Sequence, residues 1–368
     1  MPRKILLYAS QLYSLSILRP VQDAALSRGD EVGWYYANPD LLPYRAQSER
    51  RLATVDEVMA FAPDAVMVAS NTVPDFFPGL KVQLFHGFSV SKRSDAKGHY
   101  RIRGFFDLYC TQGPATTRNF EILAAKYGHF KVVETGWPKL DPLFPQRHPP
   151  TPEADTCPRL LVTSTFTPAL SLALPLYAEI SALAKTRRWQ ILVTLHPKMA
   201  PATVQLYRDL QDEFLTFVET DNILPLLEQA DVMLSDTSSV VFEFLLLGKP
   251  VVTFRNRKPG PWLLNIEQPA QLAGTLQQAL APPADLQQAI ADLGRQIHPY
   301  GDGRSSQRVL EAVDQFIDLG WKRELKPKPL NLLRRWKTCR RLQYPLYKTF
   351  LPSFPQGRSD RQGNEKSR

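Results

Sequence analysis

The chain has 368 residues, a formal net charge of +9 and three cysteines. That length exceeds one ordinary core, so two domains are expected. No apolar stretch is long enough to span a bilayer. The cysteines, Cys110, Cys157 and Cys339, are too far apart for a disulfide framework or a zinc site, which points to the cytoplasm. The charge is uneven: residues 321–368 hold 14 Lys and Arg against 3 Asp and Glu, leaving 31 basic and 33 acidic residues in 1–320. The body is therefore not a nucleic-acid binder by composition.

Residues 1–10 place Arg3 and Lys4 before a short apolar run with no small-residue cleavage pattern, so they read as a first strand rather than a leader. Strand patterns at 5–9, 32–36, 65–69, 82–85, 108–110 and 132–134 alternate with helical patterns at 18–27, 55–61 and 117–127. This is the βαβ rhythm of a parallel, doubly wound sheet. Between 142 and 158 stand Pro142, Pro145, Pro149, Pro150, Pro152 and Pro158. Proline removes donors and fixes φ, so this stretch is a linker. The rhythm then restarts, with strands at 160–165, 191–195, 215–218, 232–234 and 251–254. Helical patterns lie at 172–185, 202–211, 223–228, near 270–280 and at 284–297. The fold class is α/β. Two Rossmann-like domains, 1–141 and 159–320, are joined by the linker 142–158 and face a cleft. No Gly-x-Gly-x-x-Gly, P-loop or 20–50-residue repeat is present.

The segment 321–368 has a different character. Leucines and aromatics, Trp336 among them, are interleaved with Arg334, Arg335, Lys337, Arg340 and Arg341 at roughly helical spacing. The pattern suits a helix lying in an anionic membrane surface, with a tail packed on its own body or disordered as the plainer alternative. Nucleic-acid binding is a weaker third reading, and residues from Gln356 onward read as disordered.

Ligands of such sheets sit at the carboxyl ends of the strands. The run 230–250 reads as strand, tight turn, helix and next strand, with Asp236, Thr237 or Ser238 as the helix cap. Ser238 and Ser239 stand at the helix start, where phosphate binds readily, and Glu243 lies about one turn further on. His86, His196 and the stretch 136–141 also follow strand patterns. Two histidines offer one base and one phosphate-contacting donor. No Asp-x-Asp, His-x-x-x-His or His/Cys cluster suggests a metal cage, so Lys, Arg, His and helix dipoles are expected to neutralise charge.

The ordered motifs His86-Gly87, Gly136 to Asp141, His196-Pro197, Asp236 to Glu243 and Asp302 to Arg308 resemble the CDP-glycerol glycerophosphotransferases, the GT-B teichoic-acid primases and polymerases. The resemblance implies attack by an acceptor hydroxyl on the glycerol-bearing phosphorus of CDP-glycerol, the donor substrate, with CMP leaving. It implies His86 as base and Asp141 as a residue shaping the catalytic site. His196, Asp236, Ser238 and Ser239 would form the donor site, Glu243 would meet glycerol or ribose, and Arg304 or Arg308 would serve the phosphates. No cofactor is implied. The acceptor would be a lipid-linked or glycan hydroxyl at the inner face of the cell membrane. Four positions depart from the family: Phe88-Ser89 replaces Thr-Pro, Thr237 replaces Tyr, and Glu243 replaces Asp. A GT-B glycosyltransferase or epimerase using a nucleotide sugar, and an inactive nucleotide- or glycan-binding scaffold, are the alternative functions.

Overall fold

The computed structural model describes residues 2–88, 100–144, 157–220 and 222–350. Most of the Pro-rich linker and the end of the tail, including the stretch from Gln356 expected to be disordered, lie outside the described residues. So does Ser89.

Two six-stranded parallel sheets form the frame. The first contains β1 (Lys4–Ala9), β2 (Glu31–Tyr36), β3 (Ala65–Val68), β4 (Leu80–Gln83), β5 (Leu108–Thr111) and β6 (Lys131–Glu134), in the order β2-β1-β3-β4-β5-β6. Its helices are α1 (Tyr13–Ser27), α2 (Val55–Phe61) and α3 (Pro114–Tyr127). The strands are short, and β1, β3 and β5 are largely apolar and buried because both faces of the sheet's centre are covered, as parallel sheets require.

The second sheet contains β7 (Arg159–Ser164), β8 (Gln190–Leu195), β9 (Leu215–Phe217), β10 (Val232–Ser235), β11 (Val251–Phe254) and β12 (Leu264–Ile266). Its order, β12-β11-β10-β7-β8-β9, reverses between β7 and β10. A crevice opens at the carboxyl ends of strands at such a switch point. The helices of this part are α4 (Tyr177–Lys185), α5 (Pro201–Asp209), α6 (Leu224–Gln229), α7 (Val240–Leu245), α8 (Leu272–Leu280) and α9 (Ala284–Ile297). β12 was not read from the sequence, since three residues with Asn265 at the centre carry little pattern.

Two later helices cross back to the first sheet. α10 (Ser305–Asp318), inside the segment expected to belong to the second domain, packs on α1. Arg3 and Arg28 both reach Asp314 there. One apolar cluster consequently runs from β1 through Trp137 and Leu140 to α7 and α10, so the two cores are continuous.

α11 (Leu332–Arg341) also lies on the first unit. Cys339 is buried, Arg335 pairs with Asp75, Arg334 donates to the Arg103 carbonyl and Arg341 donates to the Tyr8 hydroxyl. Tyr344 stacks on Phe76. Of the six tail residues expected to meet a membrane, Arg334, Arg335 and Arg341 are thus engaged by the body, whereas Trp336, Lys337 and Arg340 are exposed, with no such contact among the described residues. Among the described residues, no helix is long and apolar enough to cross a membrane.

The junction of the units contains an ionisable group. His298 is buried, and its Nε2 accepts the Trp137 backbone N–H at 3.0 Å. Burial lowers its pKa to about 4 from 6.5. The stability this neutral form contributes is complete above pH 6.5 and is lost as the pH falls toward 4, because the unfolded chain takes up the proton first. Unfolding free energy should drop by on the order of 1–3 kcal/mol across that window. Chemical denaturation at several pH values should show the slope, and His298→Gln, which keeps an acceptor without a titration, should flatten it.

Candidate active site

The first unit contributes His86 just beyond β4. Phe85 adopts φ +60°, a left-handed conformation that costs energy for a side chain of this size. The turn it makes directs the next residues into the cleft. His86 Nδ1 lies 3.3 Å from the Ala69 carbonyl, and its ring stacks on Tyr13 at 5.1 Å. A carbonyl only accepts, so Nδ1 carries the proton and Nε2 keeps a lone pair. The cleft walls surround the ring while leaving it open to solvent, and this desolvation lowers its pKa below the usual 6.5.

The second unit contributes a histidine of opposite tautomer. His196 follows β8, and its Nδ1 accepts the Lys198 backbone N–H at 3.0 Å. The proton of the neutral ring is therefore on Nε2, which makes that nitrogen a donor. Phe166 packs against this ring at 4.5 Å. The two strand ends thus carry one neutral imidazole protonated at Nδ1 and one protonated at Nε2.

The turn after β10 faces the first unit at contact distance. A Cβ placed on Gly87 would come within 3.8 Å of Ser239 Cβ and Oγ. Ser238 and Ser239 are half-buried there. Asp236, expected as a helix cap or donor contact, is wholly buried and tied to β7 instead. One carboxylate oxygen accepts the Ser164 hydroxyl at 2.8 Å and the Thr165 N–H at 2.9 Å. Its role is to hold the β7 and β10 ends together at the switch point. Ser239 occupies the cap position of α7 but makes no side-chain cap bond.

The two changed positions of the turn make contacts of their own. Thr237 Oγ1 accepts the Arg257 N–H at 3.3 Å and so anchors the loop after β11. Glu243 pairs with Lys139 of the first unit at 2.6 Å, with both side chains largely buried. Glu243 is therefore a bridge between the walls, where a sugar or glycerol contact was expected.

Asp141 lies at the boundary of the two units. Its two oxygens accept the backbone N–H groups of Ser305 and Ser306 at 2.8 and 2.7 Å, which caps the start of α10 across the units. Desolvation raises its pKa, opposed by these hydrogen bonds. A buried carboxylate engaged by two main-chain donors positions a helix, and here that helix joins the units that form the site. Arg308 pairs with Asp302 and lies over Tyr300. Arg304 is exposed at the same bend. Sequence reasoning missed Tyr13, Thr165 and Arg257, which pack on His86, Asp236 and Thr237. All three follow strand ends and were accessible to the rule that exposed His86, but none carries a motif.

A two-sheet α/β enzyme of GT-B type, built around a cleft at the carboxyl ends of both sheets, is the class that fold and site define. A UDP-N-acetylglucosamine 2-epimerase family model matches residues 128–314. The chain therefore belongs to the UDP-N-acetylglucosamine 2-epimerase family, where the motif order had pointed to the CDP-glycerol transferases. No curated protein sequence matches it. Among solved structures, the wall teichoic acid polymerase TagF is similar with TM-score 0.63, 15% identity, and coverage of 88% of this chain and 90% of TagF. A UDP-N-acetylglucosamine 2-epimerase from Listeria monocytogenes gives TM-score 0.62, 15% identity and coverage of 87% and 98%. S. aureus MnaA with UDP gives 0.57, 15%, and 86% and 97%. At such identities the likeness establishes the shared fold.

If Asp141 only positions α10, Asp141→Ala should lower unfolding free energy by about 1–3 kcal/mol, the cost of a lost cap and two unpaired donors. Turnover per folded molecule should change only a few-fold. Unchanged stability with turnover abolished would return Asp141 to the chemistry.

Proposed function

We propose that the protein is a transferase that moves glycerol phosphate from CDP-glycerol to an acceptor hydroxyl of a surface glycan or its lipid-linked precursor. His86 Nε2 takes the acceptor proton as the acceptor oxygen attacks phosphorus. The new P–O bond forms as the bond to CMP breaks, and CMP leaves with the bridging oxygen. His196 Nε2–H, Ser238 and Ser239 hold the donor's phosphate oxygens and neutralise developing charge. No cofactor beyond the donor takes part in this scheme.

The observation that carries the reading is the pair of strand-end histidines, one on each unit, whose Nδ1 atoms meet main-chain groups of opposite kind, a carbonyl for His86 and an N–H for His196. His86 keeps a lone pair because Ala69 fixes its other nitrogen, and His196 keeps an N–H because Lys198 fixes its own. The base-bearing loop approaches the Ser239 turn closely, since a Cβ on Gly87 would lie 3.8 Å from Ser239 Oγ. A base immediately beside a phosphate-binding turn suits attack at phosphorus. A TagF structure soaked with CDPG, of the same fold, is consistent with this donor.

The second reading, epimerisation of a UDP-sugar, is favoured by the family match over 128–314. That chemistry removes a proton from a ring carbon and returns one to the opposite face. It needs acid–base groups on both sides of a sugar ring.

Incubation with CDP-glycerol should release CMP, and His86→Ala should abolish release while retaining donor affinity. Conversion of UDP-N-acetylglucosamine to its 2-epimer, with no CMP formed, would replace the first reading by the second. The pH profile of kcat/KM should rise to a plateau through an apparent pKa below 6.5, because burial lowers the His86 pKa and the neutral ring is the base. Ser239→Ala should weaken donor binding by on the order of 1–3 kcal/mol, measured by calorimetry.

A further inference from the structure

α11 has two faces with different environments. Arg335, Thr338, Cys339 and Leu342 recur at helical spacing and turn toward the first unit, where Cys339 is 2% exposed. Leu332, Leu333, Trp336, Lys337 and Arg340 recur at the same spacing on the opposite side. Leu333 is 78% exposed, Leu332 54% and Trp336 42%. A helix seated on its own protein ordinarily turns polar residues outward. This one buries one stripe and displays a second, apolar stripe to solvent.

We propose that this outer face docks on an anionic phospholipid surface. Charge selects that occupant. The body's carboxylates beneath the segment are matched by cations on its inner side, Asp75 by Arg335 and Asp107 by Lys328. Lys337 and Arg340 are left facing outward beside the leucines, and Arg340 lies 5.1 Å over the Trp336 ring. Apolar residues flanked by Trp and basic groups match the depth profile of a bilayer interface: leucine below the headgroups, indole among them, cations against phosphate. Leu330, before the helix, and Tyr347 and Phe350, after it, extend the exposed apolar surface.

The docked face belongs to the unit that carries His86. Arg341 at the end of α11 reaches Tyr8, in the strand that leads to Tyr13, the residue stacked on His86. If the transferase reading holds, a protein docked in this way offers its acceptor side to a membrane-borne hydroxyl. That consequence rests on the proposed function, but the docking itself does not.

The test is sedimentation of the full chain with phosphatidylcholine vesicles with and without phosphatidylglycerol, in the absence of any donor, so the result is independent of the donor assignment. The chain should bind the anionic vesicles, and binding should weaken as salt is raised. Leu333→Glu/Trp336→Glu and Lys337→Glu/Arg340→Glu should each weaken binding about tenfold or more, because each removes apolar depth or two surface charges. Both should melt with the wild type, since these side chains are exposed. Absence of vesicle binding, binding unaffected by both variants, or binding equal on neutral and anionic vesicles would overturn the proposal. So would a dimer that Leu333→Glu/Trp336→Glu dissolves, because the face would then belong to a second copy.

Discussion

Residues 136–141 form the joint on which the two-sheet arrangement depends. Trp137 gives its N–H to buried His298, Lys139 pairs with Glu243, and Asp141 caps α10. Gly136 begins the segment at φ +82°, and a Cβ there would come within 2.5 Å of Ser305 Oγ, so glycine is required by both conformation and space. Each contact spans the units and each is desolvated. Removing one partner of such a contact leaves the other buried without compensation, which costs more than the contact contributes. The joint therefore sets the separation of the cleft walls, and with it the approach of Gly87 to Ser239.

The two histidines each have Nδ1 held by a main-chain group. Ala69 and Lys198 contribute a carbonyl and an N–H that are part of the folded backbone near β3 and β8, so the tautomers follow from the sheets themselves. This differs from an acid-linked imidazole, whose partner charge would raise its basicity. Here enclosure lowers the His86 pKa and keeps the ring neutral over more of the pH range.

Much of the frame was legible in the sequence because buried parallel strands are short, continuous apolar runs, and 5–9, 65–69 and 232–234 have that form. His86 and His196 were legible for the same reason: each is the polar residue that closes or follows such a run. The roles of Asp141, Asp236 and Glu243 were not. A carboxylate at a turn looks alike whether it meets a substrate, a helix N-terminus or a lysine, and the choice is made by chain segments more than 60 residues away, such as Ser164 for Asp236 and Lys139 for Glu243. Tail residues 332–342 were read as one amphipathic pattern. Only the packing separates the stripe that binds the body from the stripe that faces out.

The central claim is that His86 presents a lone pair at Nε2 while His196 presents a proton there. Long-range nitrogen–proton NMR spectra of the histidine side chains at neutral pH distinguish the tautomers directly, with His86→Ala and His196→Ala assigning the signals. The account predicts His86 protonated at Nδ1 and His196 protonated at Nε2. A His86 signal from the Nε2-protonated tautomer, or from the imidazolium, would contradict it.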